Sequence, residues 1–272
     1  MKVLLVNNRY KESTAIVARD IAALLNRRNI SVEVDDGSAE HLLKDTQLVV
    51  VLGGDGTILR AARHYGHQGV PILGVNMGTV GFLSNVEVDE FYQNIDRIIQ
   101  GDYILENRMM LEIAVYKDDL IVDKGYCLNE LVVKSKTHQM ISFNIDIDDA
   151  LSYYKGDGVL VSTPTGSTAY SLSCGGPIAD PDLEAFIITP IASHINTKKS
   201  LIVSPKKNIV ISSFSANGAV MSVDGQVNLD VGTDYKLVVK AADHKLFLVD
   251  LKNKSFFSTI DSKLRRNEAL FV

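Results

Sequence analysis

The segment VVVLGGDGTILRAA, residues 49–62, sets a single carboxylate, Asp55, among three glycines where an apolar, β-branched run gives way to helical spacing. Gly53, Gly54 and Gly56 let the backbone approach a ligand closely, and the helix that starts behind them presents unpaired N–H groups that suit phosphate. The letters match neither GxGxxG nor GxxxxGK[ST], so neither the dinucleotide fingerprint nor a Walker A loop explains them. A carboxylate beside phosphates is repelled by them unless it holds a metal ion or accepts the proton of a hydroxyl during phosphoryl transfer. The competing reading is local: Asp55 shapes a tight turn or caps the helix near Thr57.

A second segment, TPTGSTAYSLSCGGP at 163–177, gathers Thr163, Thr165, Ser167, Thr168, Ser171 and Ser173 between prolines and glycines that fix the backbone. Small hydroxyls at a helix start suit an adenine, ribose or pyrophosphate, with capping as the competing role. A serine hydrolase fits poorly, because TGSTA lacks the second glycine of GxSxG and no histidine is marked as a partner. In LNE, residues 128–130, Asn129 and Glu130 follow an apolar run. Neighbours on a strand face opposite ways, so one of them addresses a ligand, or both if a bulge re-aims them; otherwise the pair is an ordinary polar strand end. KGDG, residues 155–158, reads as a hairpin turn. The six histidines show no HExxH arrangement and read as surface or structural groups.

The elements that must position these residues fall into two textures. KVLLVN, ISVEVDD, TQLVVVL and VPILGVN read as strands. They alternate with helical patterns in ESTAIVARDIAALLNRRN (Ala18, Ile21, Ala22 and Leu25 on one face), in one or two turns of SAEHLLKD, at about 57–66, and in DEFYQNIDRIIQG. Such alternation implies a parallel sheet with right-handed crossovers, so residues 1–102 read as an open, Rossmann-like α/β domain, with MGTVGFLSN as a glycine-punctuated loop. From 103 to about 250 the pattern becomes short alternating strands with Asp, Gly and Lys turns, which predicts a β-rich, β-sandwich-like domain. Residues 251–272 look helical and are expected to return to the first domain.

At 272 residues, 46% hydrophobic and 22% charged, the composition is that of a chain with a sizeable core. A net charge of −5 offers no global field for nucleic acid or an anionic membrane. Two cysteines without CxxC suggest neither a disulfide framework nor a zinc site, and no apolar run approaches a membrane span; a cytoplasmic location is expected.

Taken in order, GGDGT, NE, DG and TPTGSTAYSLSCGGP, with an α/β half before a β-rich half, resemble the NAD kinase family over nearly the whole chain. GGDGT alone is shared with the wider superfamily of diacylglycerol and sphingosine kinases. The resemblance implies ATP-dependent phosphorylation of the adenosine-ribose 2′-hydroxyl of NAD, giving NADP, in a cleft between the two domains, with a divalent metal ion, Mg²⁺, whose ligands stay unassigned. It implies Asp55 as acceptor of the hydroxyl proton, with Gly56 and Arg60 at the NAD site and Gly53, Gly54, Gly56 and Thr57 near the ATP phosphates. Asn129 and Glu130 match the pair that contacts the ribose and adenine side. Lys155 and Asp157 match positions that reach the dinucleotide, in part from a neighbouring subunit. Thr168, Ala169, Tyr170, Ser171 and Ser173 match the segment around adenine and ribose, and Gln226 in SVDGQ matches a further polar contact. A histidine or arginine contact that several members carry soon after NE falls on His138 or Gln139 and is left unassigned. The short stretch before KVLLVN implies a compact bacterial-type enzyme, and relatives' habits imply a homodimer or homotetramer. The alternatives are a lipid or sphingoid kinase of the same superfamily and a non-catalytic NAD(P)-binding sensor.

Overall fold

A computed structural model describes residues 1–8, 12–35, 37, 43–78, 81–84, 86–194, 199–215, 218–252 and 255–261. The chain divides into two compact units, Met1–Asn107 with Leu246–Val272, and Arg108–Lys245.

In the first unit β1 (Lys2–Asn7), α1 (Glu12–Arg27), β2 (Ser31–Asp35), β3 (Leu48–Gly53), α2 (Asp55–Tyr65), β4 (Ile72–Asn76), β5 (Val86–Glu87), α3 (Val88–Gln93) and α4 (Ile95–Gln100) follow one another. The strands lie in the order β2-β1-β3-β4, all parallel, with Val6 opposite Val51 and Leu52 opposite Val75. Every residue of β3 and β4 is buried, which is why both read as unbroken apolar runs rather than alternating ones. On α1 Ala18, Ile21 and Leu25 are buried in the core and Ala22 packs against it. The single helix expected over DEFYQNIDRIIQG is two, parted at Asn94 (φ −103°, ψ 12°). There the Asn94 amide donates to Glu90 O at 2.8 Å, a side-chain bond that competes with the helical ladder. The helical turns expected in SAEHLLKD fall largely outside the described residues.

The second unit is built from β6 (Ile104–Lys117), β7 (Leu120–Cys127), β8 (Glu130–Ser135), β9 (Ile141–Ile147), β10 (Ala150–Gly156), β11 (Gly158–Ser162), α5 (Tyr170–Ser173), β12 (Phe186–Ile191), β13 (Leu201–Val203), β14 (Ile209–Ser212), β15 (Ala219–Val223), β16 (Val227–Val231) and β17 (Tyr235–Asp250). One antiparallel layer runs β13-β12-β11-β8-β15-β16, and the other runs β10-β9-β14-β17 with β6 and β7 beyond. Alternate residues of the two layers, among them Leu131, Val133, Val159, Val161 and Met221 from one and Leu111, Ile113, Phe143, Ile145, Ile209 and Val239 from the other, share one core. This is a β-sandwich. The chain enters the unit within β6 and leaves it within β17, whose Leu248 pairs with Ile72 of β4. Leu251 packs in the α/β core, and Lys252 pairs with Glu90; of the C-terminal segment, residues 262–272 lie outside the described residues.

KGDG is not a hairpin turn. β10 pairs with β9, while β11 pairs with β8 and β12, so the four residues carry the chain from one layer to the other. A Cβ on Gly158 would lie 2.1 Å from Val133 O and one on Gly156 2.9 Å from Ala192 O, so the glycines are there for close backbone passage. Among the described residues no helix is long and apolar enough to cross a membrane.

Candidate active site

β3 ends at Gly53, and α2 begins at Asp55 after an extended Gly54 (φ −100°, ψ −171°). A Cβ on Gly53 would lie 2.3 Å from Thr57 Oγ1, so glycine is needed to let the strand end pass over the buried threonine. Asp55 neither caps its own helix nor serves a local turn. Its carboxylate grips residues 82–84: Phe82 N–H donates to Oδ2 at 2.7 Å, and Leu83 N–H, Ser84 N–H and Ser84 Oγ–H donate to Oδ1 at 3.1, 3.1 and 3.2 Å. Oδ1 takes three of these bonds and Oδ2 one, so Oδ2 is the oxygen with room for a further proton donor. A Cβ on Gly81 would fall 1.8 Å from Asp55 Oδ1, so this glycine makes room for the carboxylate. Residues 81–84 were missed by the sequence reading; the signal available was a glycine beside small and apolar residues in a loop after a buried strand.

Arg60, one helical turn on from Gly56, is held by Asp35 Oδ2 at 3.1 Å and by Asn7 O at 3.2 Å. Asp35 is fully buried at the end of β2, and Tyr65 Oη–H also donates to it, at 3.0 Å. The guanidinium therefore sits at the carboxyl ends of β1 and β2, the edge where open α/β sheets bind ligands.

In the second unit the LNE turn and the hydroxyl-rich segment are brought together. Thr163 Oγ–H donates to Leu128 O at 2.6 Å, Thr163 N–H to Asn129 O at 2.9 Å, and Gly166 N–H to Thr163 Oγ1 at 3.1 Å. A Cβ on Gly166 would meet Asn129 O at 2.2 Å, which makes TPTG a fitted lid on the turn. From the other side the Asp224 carboxylate accepts the N–H groups of Leu128, Asn129 and Glu130. Asn129 and Glu130 are both buried, and Glu130 Oε2 has no partner. Burial, then the neighbouring Asp224 anion, push the Glu130 carboxyl up to about 8, against the lowering effect of the Tyr170 backbone N–H bonded to it. At neutral pH Glu130 is thus mostly a protonated group with a hydrogen-bond donor to offer.

The hydroxyls divide by burial. Ser171 is fully buried, and its side chain faces Thr189 Oγ1 at 3.5 Å. Ser167 is likewise buried, exchanging hydrogen bonds with Ala179 O and N–H at 3.3 and 3.0 Å. Thr168 and Ala169 are half-buried, while Tyr170 and Ser173 are exposed. Lys155 and Asp157 are exposed too, although the Asp157 backbone bonds Ile191 O and Ser135 N–H as a strand residue does. Gln226 is exposed just after the 224–225 turn.

No cluster of three or more His, Cys, Asp or Glu side chains able to hold a metal ion occurs among the described residues.

A fixed carboxylate at the mouth of a glycine loop and helix start is the equipment of a phosphotransferase acting on a hydroxyl. Comparisons with known proteins sharpen that class. Residues 40–103 match the ATP-NAD kinase N-terminal domain and residues 128–251 the ATP-NAD kinase C-terminal domain. The chain is 38% identical over 255 residues to an NAD kinase of Carboxydothermus hydrogenoformans, covering 91% of each, and 35% identical over 266 residues to that of Geotalea daltonii, covering 93% of this chain and 94% of the other. Among solved structures, yeast NADH kinase complexed with NADH superposes with a TM-score of 0.88 at 26% identity, covering 97% of this chain and 87% of that one. An NAD kinase from Archaeoglobus fulgidus in complex with ATP gives 0.76 at 26% identity, covering 97% and 99%. The chain belongs to the NAD kinase family and is an ATP-dependent phosphotransferase. The lipid-kinase and sensor alternatives find no support in these similarities.

Proposed function

We propose that the protein transfers the γ-phosphoryl group of ATP to the 2′-hydroxyl of the adenosine ribose of NAD, giving NADP. The observation that carries this reading is Asp55, locked by four hydrogen bonds with room left on Oδ2. That oxygen accepts the ribose proton as the phosphoryl group arrives. Gly53, Gly54, Gly56 and the α2 amino terminus receive the ATP phosphates, with Thr57 bracing the loop from beneath. Asn129 and Glu130 contact the adenosine side of NAD, helped by Thr168, Ala169, Tyr170 and Ser173, with Gln226 as a further polar contact. Arg60 contributes a cation to the dinucleotide while tied to Asp35. A divalent ion such as Mg²⁺, arriving with the ATP phosphates, would supply neutralisation of the charge on the transferred group.

A homodimer or homotetramer, in which Lys155 and Asp157 reach the dinucleotide of a neighbouring subunit, fits the exposure of both side chains. A cytoplasmic location fits a chain whose two cysteines, Cys127 and Cys174, are not joined in a disulfide. The reading is tested by Asp55→Asn: kcat falls about 10²–10⁴-fold with NAD binding by calorimetry retained. A variant with unchanged kcat refutes Asp55 as the base.

A further inference from the structure

Asp224 and Gly225, with φ of 49° and 65°, form the two central residues of a type I′ turn joining β15 to β16, closed by Gln226 N–H on Val223 O at 2.9 Å. Asparagine satisfies such a turn as well as aspartate does. Here the side chain serves something beyond the hairpin. Its Oδ2 accepts Leu128 N–H at 3.1 Å, and its Oδ1 accepts Asn129 N–H at 2.8 Å and Glu130 N–H at 3.2 Å. In return Asp224 N–H donates to Glu130 O at 3.0 Å. Three consecutive N–H groups converging on one anion make a backbone nest, and the fold fills it with its own carboxylate.

We propose that Asp224 is a positioning residue for dinucleotide binding: by clamping the 128–130 turn it sets the orientation in which Asn129 and Glu130 meet NAD. The inference rests on the reading of Asn129 and Glu130 as NAD-binding residues. Thr163 holds the same turn from the opposite side through its hydroxyl and N–H. The titratable groups facing Glu130 are Asp224 from the hairpin, Tyr170 at the start of α5 and Cys174 just after it. The Asp224 anion favours the protonated form of Glu130, so it both aims the side chain and keeps a proton on it.

Asp224→Asn in the full-length enzyme tests this. The amide keeps the left-handed backbone and one acceptor oxygen, but removes the charge and turns an N–H toward Leu128 N–H. The expected result is a rise in KM for NAD of about tenfold or more, an unchanged KM for ATP, and a shift of the alkaline limb of KM for NAD toward acid. Thr163→Val loosens the same turn with the Asp224 charge in place; it raises KM for NAD without moving that limb, and it keeps the inference testable if the first variant does not fold. A lower melting temperature in both variants, with KM for NAD per active site and its pH profile unmoved, overturns the proposal. Asn129→Ala separates the two readings. No change in its KM for NAD removes Asn129 from the NAD site and the clamp's purpose with it. A rise in that variant alone leaves Asn129 at NAD and overturns the clamp.

Discussion

Replacing Glu130 by Gln should change how the protein's stability depends on pH. Glu130 is 5% exposed, Oε2 has no partner, and burial with the Asp224 anion raises its carboxyl from 4.5 to about 8. In the unfolded chain the same group titrates near its ordinary value. Between about pH 4.5 and pH 8 the native state therefore holds a proton that the unfolded state has released. Stability falls as pH rises through that window, by about 1.4 kcal/mol per pH unit, and levels off above it, where both states are ionised. The contribution is fully present below the unfolded pKa and lost on passing the folded one. Glutamine keeps the shape and an acceptor for the Tyr170 N–H but does not titrate. Urea unfolding of both proteins at pH 5, 6, 7, 8 and 9 measures the difference directly. The wild type should lose ground to Glu130→Gln by about 1.4 kcal/mol per unit across the window, with equal slopes beyond it. Parallel stability curves from pH 5 to 9 would show that Glu130 ionises normally and would refute the account of its environment.

Gly81→Ala places a Cβ where Asp55 Oδ1 now lies, and because the obstacle is a side-chain end the fold survives and the carboxylate moves. We expect kcat to fall about 100-fold with a stability loss of about 1–3 kcal/mol, read by steady-state kinetics and urea titration. Gly158→Ala meets backbone, Val133 O, instead, so it should cost about 3 kcal/mol or more and lower soluble yield. Arg60→Met takes the cation from the buried Asp35 carboxylate, leaving it the Tyr65 hydroxyl and the Gly37 N–H, and should cost about 3 kcal/mol in the same titration.

The alternation of buried apolar runs with helical spacing was enough to read the parallel α/β unit, because β3 and β4 are buried on both faces and look it. The sandwich was legible from period-two strands such as ISFNIDI, whose Ile141, Phe143 and Ile145 all enter the core. What stayed hidden were partners distant in sequence. KGDG has the composition of a hairpin, and only the identity of its neighbours, β8 and β12 against β9, shows that it crosses between layers. Asp55 finds its donors 27 to 29 residues away and Asp224 finds its own 94 to 96 residues away, spacings that no local pattern encodes. Ser171 could not be told from Thr168 by letter, since one hydroxyl turns inward to Thr189 and the other bonds Thr165 O at the segment's partly open side.

The central claim is that this chain phosphorylates NAD on its adenosine ribose. The purified protein should be incubated with ATP, Mg²⁺ and NAD, and the product resolved by phosphorus NMR and by an enzyme specific for NADP. The account predicts a single new 2′-phosphomonoester, formed by the wild type and nearly abolished in Asp55→Asn. No NADP above a boiled control, or phosphate delivered to another hydroxyl, would contradict it.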